Sequence, residues 1–133
     1  MIAPNFIELE VVTPEKTLLT VLATSLQFPL EDGQIGILIG RAPMVGRLGM
    51  GELIITTPEG TSRYFIDGGF VQVKDSVVTL LTNHAAKLSD LNANSIESTF
   101  NEIQQLSTSD PKAFQARNQE LERCRKMLSI LKR

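Results

Sequence analysis

The sequence predicts an α+β protein in which an N-terminal antiparallel β-sandwich or barrel is followed by a C-terminal antiparallel hairpin of two helices. Up to about Ala86, β-prone runs alternate with turn residues at intervals of roughly eight to twelve positions, a spacing typical of all-β sandwiches and barrels. After Leu88 these runs give way to helix-forming residues, and no glycine occurs from residue 70 onward. We therefore expect a β domain over residues 1–87 and a helical domain over residues 88–133.

The first strand is predicted over residues 6–12, where apolar and polar side chains alternate. Ile7, Leu9 and Val11 fall on one face, and Glu8 and Glu10 fall on the other. A strand with this period of two buries one face and exposes the other. We therefore expect the face with the three apolar residues to enter the core.

Further short strands follow between residues that favour turns. The predicted strands cover residues 17–22, 25–28, 35–39, 52–57, 61–66, 70–73 and 77–82. The predicted turns cover residues 13–16, 31–33, 58–60 and 74–76, where proline, glycine and acidic residues are concentrated. The Asp67-Gly68-Gly69 segment is expected to break the β run between residues 66 and 70.

Two helices are predicted in the second domain. Asn92 or Asn94 can cap the first helix, in which Ile96, Phe100 and Ile103 recur with helical spacing. Residues 107–109 (STS) end it, and Asp110-Pro111 favours a restart with Asp110 as N-cap and Pro111 at the first helical position. The apolar seam expected on the second helix consists of Phe114, Leu121, Cys124, Leu128 and Leu131, interrupted by Arg117.

Length and composition exclude several classes of protein. The 133 residues suit one compact domain, or one with a small appendage, and 42% hydrophobic content indicates a globular chain. Cys124 is the only cysteine, so no internal disulfide can form and a reducing compartment is favoured. We also expect neither a membrane span nor a secretory signal, because the uncharged stretches are short and the first residues are not basic.

The charge is unevenly distributed along the chain. The formal net charge is −2, and the pI near 5.4 argues against a nucleic-acid partner. Residues 1–110 contain 6 Lys+Arg against 13 Asp+Glu, a balance of −7, whereas residues 111–133 contain 7 against 2, a balance of +5. A basic tail on an acidic body suggests that the two parts have separate roles.

Candidate catalytic residues are few. His84 is the only histidine, so a cluster of histidine metal ligands cannot form; we expect a surface or structural residue, with a modest pH-switch role as the alternative. Cys124 is expected to be a small buried hydrophobic residue. The alternative is a reactive thiol, because Arg123 and Arg125 lie next to it in the sequence. The glycines lie between strands, unlike those of a phosphate-binding loop. The sequence therefore predicts no enzyme, cofactor or metal.

An ordered set of segments carries a family resemblance. The segments are residues 9–15 (LEVVTPE), 33–38 (GQIGIL) with Gly40 and Ala42-Pro43, 51–55 (GELII), 68–73 (GGFVQV) and 77–81 (VVTLL). Together with the order of a β region and a helical hairpin, they resemble the epsilon subunits of rotary ATP synthases, called delta in mitochondria. The segments cover nearly all of the first domain.

This resemblance implies a flattened sandwich of about ten strands, followed by a two-helix domain, in a non-catalytic subunit of the central rotor stalk. Such a subunit couples rotation of the c-ring of a proton-translocating ATP synthase to the catalytic head through the gamma subunit. The sandwich would bind gamma on one side and the polar loops of the c-ring at its base. The ring contact would involve Glu31, Asp32, Gly33 and Gln34, and Arg41, Ala42 and Pro43 would lie near the junction of gamma and the ring.

Two positions depart from the family pattern. Where the family usually reads Pro-x-His-Ala-Pro, this chain has Ile39 in place of the rigid proline and Arg41, still a cationic donor, in place of the histidine. Relatives that bind ATP in the folded hairpin carry Ile-Asp-x-x-Arg-Ala, which aligns here with residues 91–96 (LNANSI). Because the carboxylate and the arginine are missing, we do not expect ATP sensing at this position.

The basic last helix favours a regulatory role. In bacterial relatives the hairpin can extend along gamma into the catalytic head and block ATP hydrolysis. The cationic residues that would meet acidic segments of the alpha and beta subunits are Arg117, Arg123, Arg125 and Lys126. An equally weighted interpretation is that these charges form a solvated face or complement the helix macrodipole.

The resemblance also implies a location, and two other functions remain as alternatives. The subunit would be peripheral on the cytoplasmic face of a bacterial inner membrane, or on the stromal face of a thylakoid membrane, through its complex. The alternatives are a stand-alone ATP-sensing module that moves its hairpin, and a β-sandwich adaptor in an unrelated complex.

Overall fold

The computed structural model describes residues 6–106 and 110–131 and divides the chain into two compact units, Met1–Lys87 and Leu88–Arg133. The first unit contains the strands β1 Ile7–Val12, β2 Thr17–Ala23, β3 Ser25–Leu30, β4 Gly33–Leu38, β5 Met44–Thr57, β6 Gly60–Lys74, β7 Val77–Leu81 and β8 Ala85–Lys87. The second contains a 3₁₀ turn, Leu88–Asp90, and the helices α1 Ala93–Gln105 and α2 Pro111–Leu131. The described residues thus form eight strands, fewer than the ten or so that the family resemblance implies.

The strands hydrogen-bond in the order β2-β1-β7-β6-β5-β3-β4, and β8 pairs with β6. Near its start β6 pairs with β8 at residues 64–66, and near its end it pairs with β7 at residues 70–74. The long β5–β6 hairpin therefore contributes to both layers of a β-sandwich. The described pairs are antiparallel except β1 with β7, which is parallel because the long connection through β2–β6 replaces a hairpin.

The predicted break at Asp67-Gly68-Gly69 is wrong, because β6 continues through it. The β5–β6 register is the same on both sides, with Met50 opposite Asp67 and Leu48 opposite Gly69. Gly68 and Gly69 have φ values of 71° and 119°, which few side-chain-bearing residues adopt. The glycines therefore let the strand change direction without losing its pairing.

The core of the first unit lies between the layers. The alternation predicted for β1 is confirmed, since Ile7, Leu9 and Val11 are buried. The other core residues are Ala23, Leu26, Phe28, Ile37, Leu48, Leu53, Ile55, Ile66, Val71, Val73, Val78 and Leu80. These residues come from β1, β3, β4, β5, β6 and β7 and from the end of β2. Burial of their apolar surface therefore holds the two layers together.

The turn between β6 and β7 gives a stability prediction. Asp75 and Ser76 have φ values of 51° and 66°, a conformation that costs an L-residue free energy and costs glycine little. Replacing Ser76 with glycine should therefore raise the free energy of unfolding by about 0.5–1 kcal/mol, measured by urea denaturation. The matched change Ser62→Gly, inside β6, should lower it. Equal effects of the two changes would contradict this account.

The caps predicted for the helices are present. The Asn92 side chain accepts hydrogen bonds from the backbone N–H groups of Asn94 at 2.9 Å and Ser95 at 3.2 Å. The Asp110 carboxylate accepts one from the N–H of Lys112 at 3.1 Å, and Pro111 begins α2. These bonds satisfy donors that the first helical turn leaves unpaired. The predicted break at residues 107–109 lies outside the described residues.

The apolar stripe predicted for α1 is confirmed, because Ile96, Phe100 and Ile103 are its half-buried residues. The seam predicted for α2 is only partly correct. Leu121 and Cys124 are buried, but Ile130, which was not assigned to the seam, is buried as well. Phe114 is half exposed, and the Arg117 guanidinium lies over its ring at 5.8 Å from the centroid.

Candidate functional site

The solvent-facing side of β2, β1, β7, β6 and the first half of β5 forms what we call the outer face. The register aligns Arg47 with Phe70, Phe70 with Leu81, and Leu81 with Val12, so one row of side chains crosses four strands. The next row contains Val45, Gln72, Thr79, Glu10 and Thr20. Pairing alone therefore brings together residues from distant parts of the sequence.

The outer face has several exposed apolar side chains among its polar ones. Val45 is 78% exposed, Phe70 52% and Leu81 50%, and Leu22 on the edge strand β2 is 56% exposed. Scattered single apolar residues are ordinary on a surface, but neighbouring ones mark interaction sites. The outer face has this arrangement at Phe70 and Leu81, which are directly paired neighbours.

A groove of about 590 Å³ opens on the same row of the outer face. Its walls include Val12, Pro14, Glu31, Arg47, Phe70 and Leu81. The Arg47 guanidinium lies 5.8 Å from the centroid of the Phe70 ring, a cation–π distance, and its Nη1 lies 3.9 Å from Oε1 of Glu31. Both charged side chains are well exposed, so this ion pair contributes little to the stability of the fold. Its main effect is to orient the two side chains at the edge of the groove.

The first predicted contact loop is the β3–β4 turn, and all four of its predicted residues are exposed. The backbone N–H of Glu31 donates to the carbonyl of Arg47 at 3.1 Å, which attaches the turn to β5. The Gln34 side-chain amide donates to the carbonyl of Glu52 at 3.1 Å. Two hydrogen bonds to β5 therefore hold this turn, and Glu31 belongs both to it and to the groove.

The second predicted contact segment is the loop between β4 and β5. Arg41, Ala42 and Pro43 are exposed there. Gly40 has a φ of 87°, and the backbone N–H of Arg41 donates to the carbonyl of Leu38 at 3.3 Å. Leu38 is itself 68% exposed, so the loop presents a cationic group beside apolar surface.

The four predicted basic residues of α2 differ in their surroundings. The Arg117 guanidinium donates to two backbone carbonyls of α1, Arg123 pairs with Glu120, and the Arg125 guanidinium lies 5.5 Å from the ring centroid of Phe100 on α1. Lys126 is exposed. The structure therefore brings Arg117 and Arg125 into contact with α1.

Cys124 and His84 have few features of reactive groups. Cys124 is 4% exposed, and burial raises the pKa of its thiol; the Glu120 carboxylate raises this pKa further, whereas Arg123 lowers it. A raised pKa disfavours the nucleophilic thiolate. His84 is exposed, and its backbone carbonyl accepts hydrogen bonds from the hydroxyl of Thr82 and the N–H of Asp67.

Within residues 6–106 and 110–131, no three His, Cys, Asp or Glu side chains are grouped so that they could hold a metal ion. Among the helices of these residues, none is both long enough and apolar enough to cross a membrane.

Sequence reasoning did not single out the outer face. Arg47, Val45, Phe70 and Leu81 were not among the predicted site residues. A usable signal existed, because Phe70 and Leu81 are apolar at positions next to the buried Val71 and Leu80. A strand that is apolar on both faces needs cover on both.

The comparisons with known proteins agree with this architecture. The family described as "ATP synthase, Delta/Epsilon chain, beta-sandwich domain" matches residues 6–88. The ATP synthase epsilon chain of Rhodopirellula baltica is 42% identical over 118 residues, which cover 89% of this chain and 92% of the relative. That of Leptospira borgpetersenii is 37% identical over 106 residues, which cover 80% and 84%.

Two solved structures share the fold. A chain in the Euglena gracilis mitochondrial ATP synthase structure, titled OSCP/F1/c-ring, has a TM-score of 0.84 at 24% identity and covers 98% of this chain and 84% of that chain. A chain in the Tetrahymena thermophila mitochondrial ATP synthase structure, titled central stalk/c-ring, has a TM-score of 0.64 at 19% identity, covering 91% and 95%.

The β-sandwich of residues 6–88 is thus that of the delta and epsilon class of ATP synthase subunits. The 83 matched residues, from 6 to 88, are more than half of the chain, and the identity to the bacterial epsilon chains extends into the helices. The chain belongs to the ATP synthase epsilon-chain family. The resemblance found in the sequence is therefore confirmed.

Proposed function

We propose that this chain is a non-catalytic rotor subunit of the central stalk, which transmits rotation of the c-ring to the catalytic head through the gamma subunit. The observation that carries the proposal is the outer face, where Phe70, Leu81 and Val45 are exposed in a member of this family. A subunit that transmits torque needs a firm contact rather than a reaction centre. An apolar patch bordered by Arg47 and Glu31 suits such a contact.

Each proposed partner is assigned one surface. Gamma would cover the outer face and its groove, because Val45, Phe70 and Leu81 are exposed there. The polar loops of the c-ring would meet the β3–β4 turn at Glu31 to Gln34, whose carboxylates and amide are exposed. Arg41, Ala42 and Pro43 would lie where gamma and the ring meet. The chain would then be peripheral on the cytoplasmic face of a bacterial inner membrane, or on the stromal face of a thylakoid membrane.

Co-purification with the gamma subunit tests the rotor role. When the full chain is co-expressed with tagged gamma, affinity purification in mild detergent should recover the two in a 1:1 ratio. The assembled membrane enzyme should also lose coupling between proton transport and ATP turnover when the chain is removed. A gamma preparation that contains none of this chain would overturn the proposal.

A restraining role for the helical hairpin is the finer part of the proposal. It is supported by the positive balance of residues 111–133 and by the exposed Lys126. Deleting residues 88–133 should raise ATP hydrolysis by the membrane enzyme, because a cationic segment that can enter the catalytic head would be gone. The first unit has its own core and should still bind gamma. Unchanged hydrolysis would eliminate the restraint and leave coupling intact.

A further inference from the structure

The C-terminal end of α1 is stabilised by a residue of the other helix. A helix leaves its last carbonyls without intrahelical donors, and glycine or a nearby cation usually compensates. The last turn of α1 contains no basic residue, and its C-cap, Leu106, is extended and donates its backbone N–H to the carbonyl of Ile103 at 3.1 Å. A donor from outside α1 can therefore satisfy the other carbonyls at this end, and the Ile103 carbonyl can accept a second hydrogen bond.

Arg117 of α2 supplies that donor. Its Nε donates to the carbonyl of Ile103 at 3.1 Å, and its Nη2 donates to the carbonyl of Gln104 at 3.1 Å. Two donors of one planar guanidinium thus meet two consecutive carbonyls, a geometry that an ammonium group cannot reproduce. The positive charge also lies at the negative end of the α1 dipole.

The side chains of α1 are at most half-buried in its contact with α2. Every residue of α1 is described, and none of its side chains is fully buried; Ile96, Phe100 and Ile103 are half-buried. Cys124 of α2 borders a small pocket of about 210 Å³ together with Ile96 and Thr99 of α1. Because α1 has no fully buried side chain, the charge-assisted hydrogen bonds of Arg117 contribute to the association of the helices beside the partly buried apolar contacts.

We propose that Arg117 is a latch that holds the helical hairpin closed, rather than a cation reserved for binding the catalytic head. Opening the hairpin separates the guanidinium from the two carbonyls of α1. Arg117 therefore favours the closed state, and its loss favours the open one. This regulatory consequence rests on the proposed function of the hairpin, whereas the latch itself is a property of the isolated chain.

The two roles of Arg117 predict opposite changes in ATP hydrolysis when Arg117 is removed. If Arg117 served as a docking cation, its removal would weaken inhibition of ATP hydrolysis. As a latch, its removal increases the open population and strengthens inhibition. The sign of the change in hydrolysis therefore distinguishes them in the assembled enzyme.

The latch can be measured in the isolated full-length chain through its only cysteine. The rate at which a thiol reagent labels the buried Cys124 reports opening of the hairpin. Arg117→Ala should speed labelling about tenfold, the factor that corresponds to loss of one charge-assisted hydrogen bond. Hydrogen exchange at residues 103–106 should accelerate by a similar factor. Lys112→Ala, which removes a positive charge from the exposed first turn of α2, should label at the wild-type rate.

Further variants and the assembled enzyme complete the test. Alanine is a strong helix former, so α2 should persist in Arg117→Ala. Arg117→Lys keeps the positive charge but loses the planar guanidinium that donates to two carbonyls, so its Cys124 should be labelled at an intermediate rate. Labelling of Arg117→Ala at the rate of Lys112→Ala overturns the latch, whatever hydrolysis does. Faster labelling with lower hydrolysis supports both the latch and the restraint. Faster labelling with unchanged hydrolysis supports the latch and overturns the restraining role of the hairpin.

Discussion

Replacing Gly69 with alanine should lower the free energy of unfolding of the sandwich by about 3 kcal/mol or more, a large fraction of the roughly 5–15 kcal/mol that stabilises an ordinary domain. A Cβ at Gly69 would lie 1.8 Å from the carbonyl oxygen of Leu81 and 2.8 Å from its carbonyl carbon. These are backbone atoms of a paired strand, so they cannot move aside as a flexible side chain could. The φ of 119° at Gly69 adds strain for any L-residue.

Gly36→Ala is the matched control for this change. Gly36 also lies in a strand, β4, but the nearest atom to its added Cβ is the carbonyl oxygen of Leu26 at an ordinary 4.0 Å. This substitution should change the free energy of unfolding by less than about 1 kcal/mol, and it should stabilise if anything. Urea denaturation of both variants provides the comparison. If the two unfold at the same urea concentration, the close approach of β6 and β7 at Gly69 is refuted.

Replacing Phe70 with aspartate should weaken binding to the gamma subunit at least about thirtyfold, because an aromatic side chain at the centre of an interface commonly contributes 2 kcal/mol or more. The substitution removes the aromatic ring from between Arg47 and Leu81 and puts a carboxylate beside the exposed apolar side chain of Leu81. The fold should survive, because half of the ring is exposed. Binding can be measured by titrating tagged gamma with the full-length chain.

Thr61→Asp controls for the added charge. Thr61 is exposed in the same strand, opposite Thr56 and far along β6 from the outer-face row. This variant should bind gamma as tightly as the unchanged chain does. Equal losses in the two variants would show that net charge, rather than the outer face, governs the association, and unchanged binding by Phe70→Asp would remove the outer face as the gamma contact.

The contrast between Phe70 and Ile7 shows what a local pattern can predict. Ile7 lies in a run with a clear period of two, and the structure buries it as expected. Phe70 lies in a run whose neighbours are also apolar, so alternation did not identify its exposed side. The pairing of Phe70 with Arg47 and Leu81 depends on strands that are far apart in the sequence. No window of neighbouring residues contains that information.

The β5–β6 hairpin also shows the limit of a local pattern, because here the pattern predicted a break that the structure does not have. Gly68 and Gly69 predicted a break because glycine usually interrupts a strand. The strand continued because hydrogen bonds to β5 on both sides of the bend compensate for it, and β7 approaches closely at Gly69. A turn signal shows where the backbone can bend, but the partner strands decide whether the pairing stops.

The sequence by itself determined the class of fold, the alternation of β1, the capped starts of α1 and α2 and the family, because each depends on neighbouring residues or on an ordered set of segments. Only the tertiary structure decided which apolar residues of β5, β6 and β7 form the exposed outer face. It also decided that Arg117 donates to the carbonyls of Ile103 and Gln104 rather than facing solvent. The physical reason is that both features are contacts between distant segments. Their free energy exists only after the chain has brought those segments together.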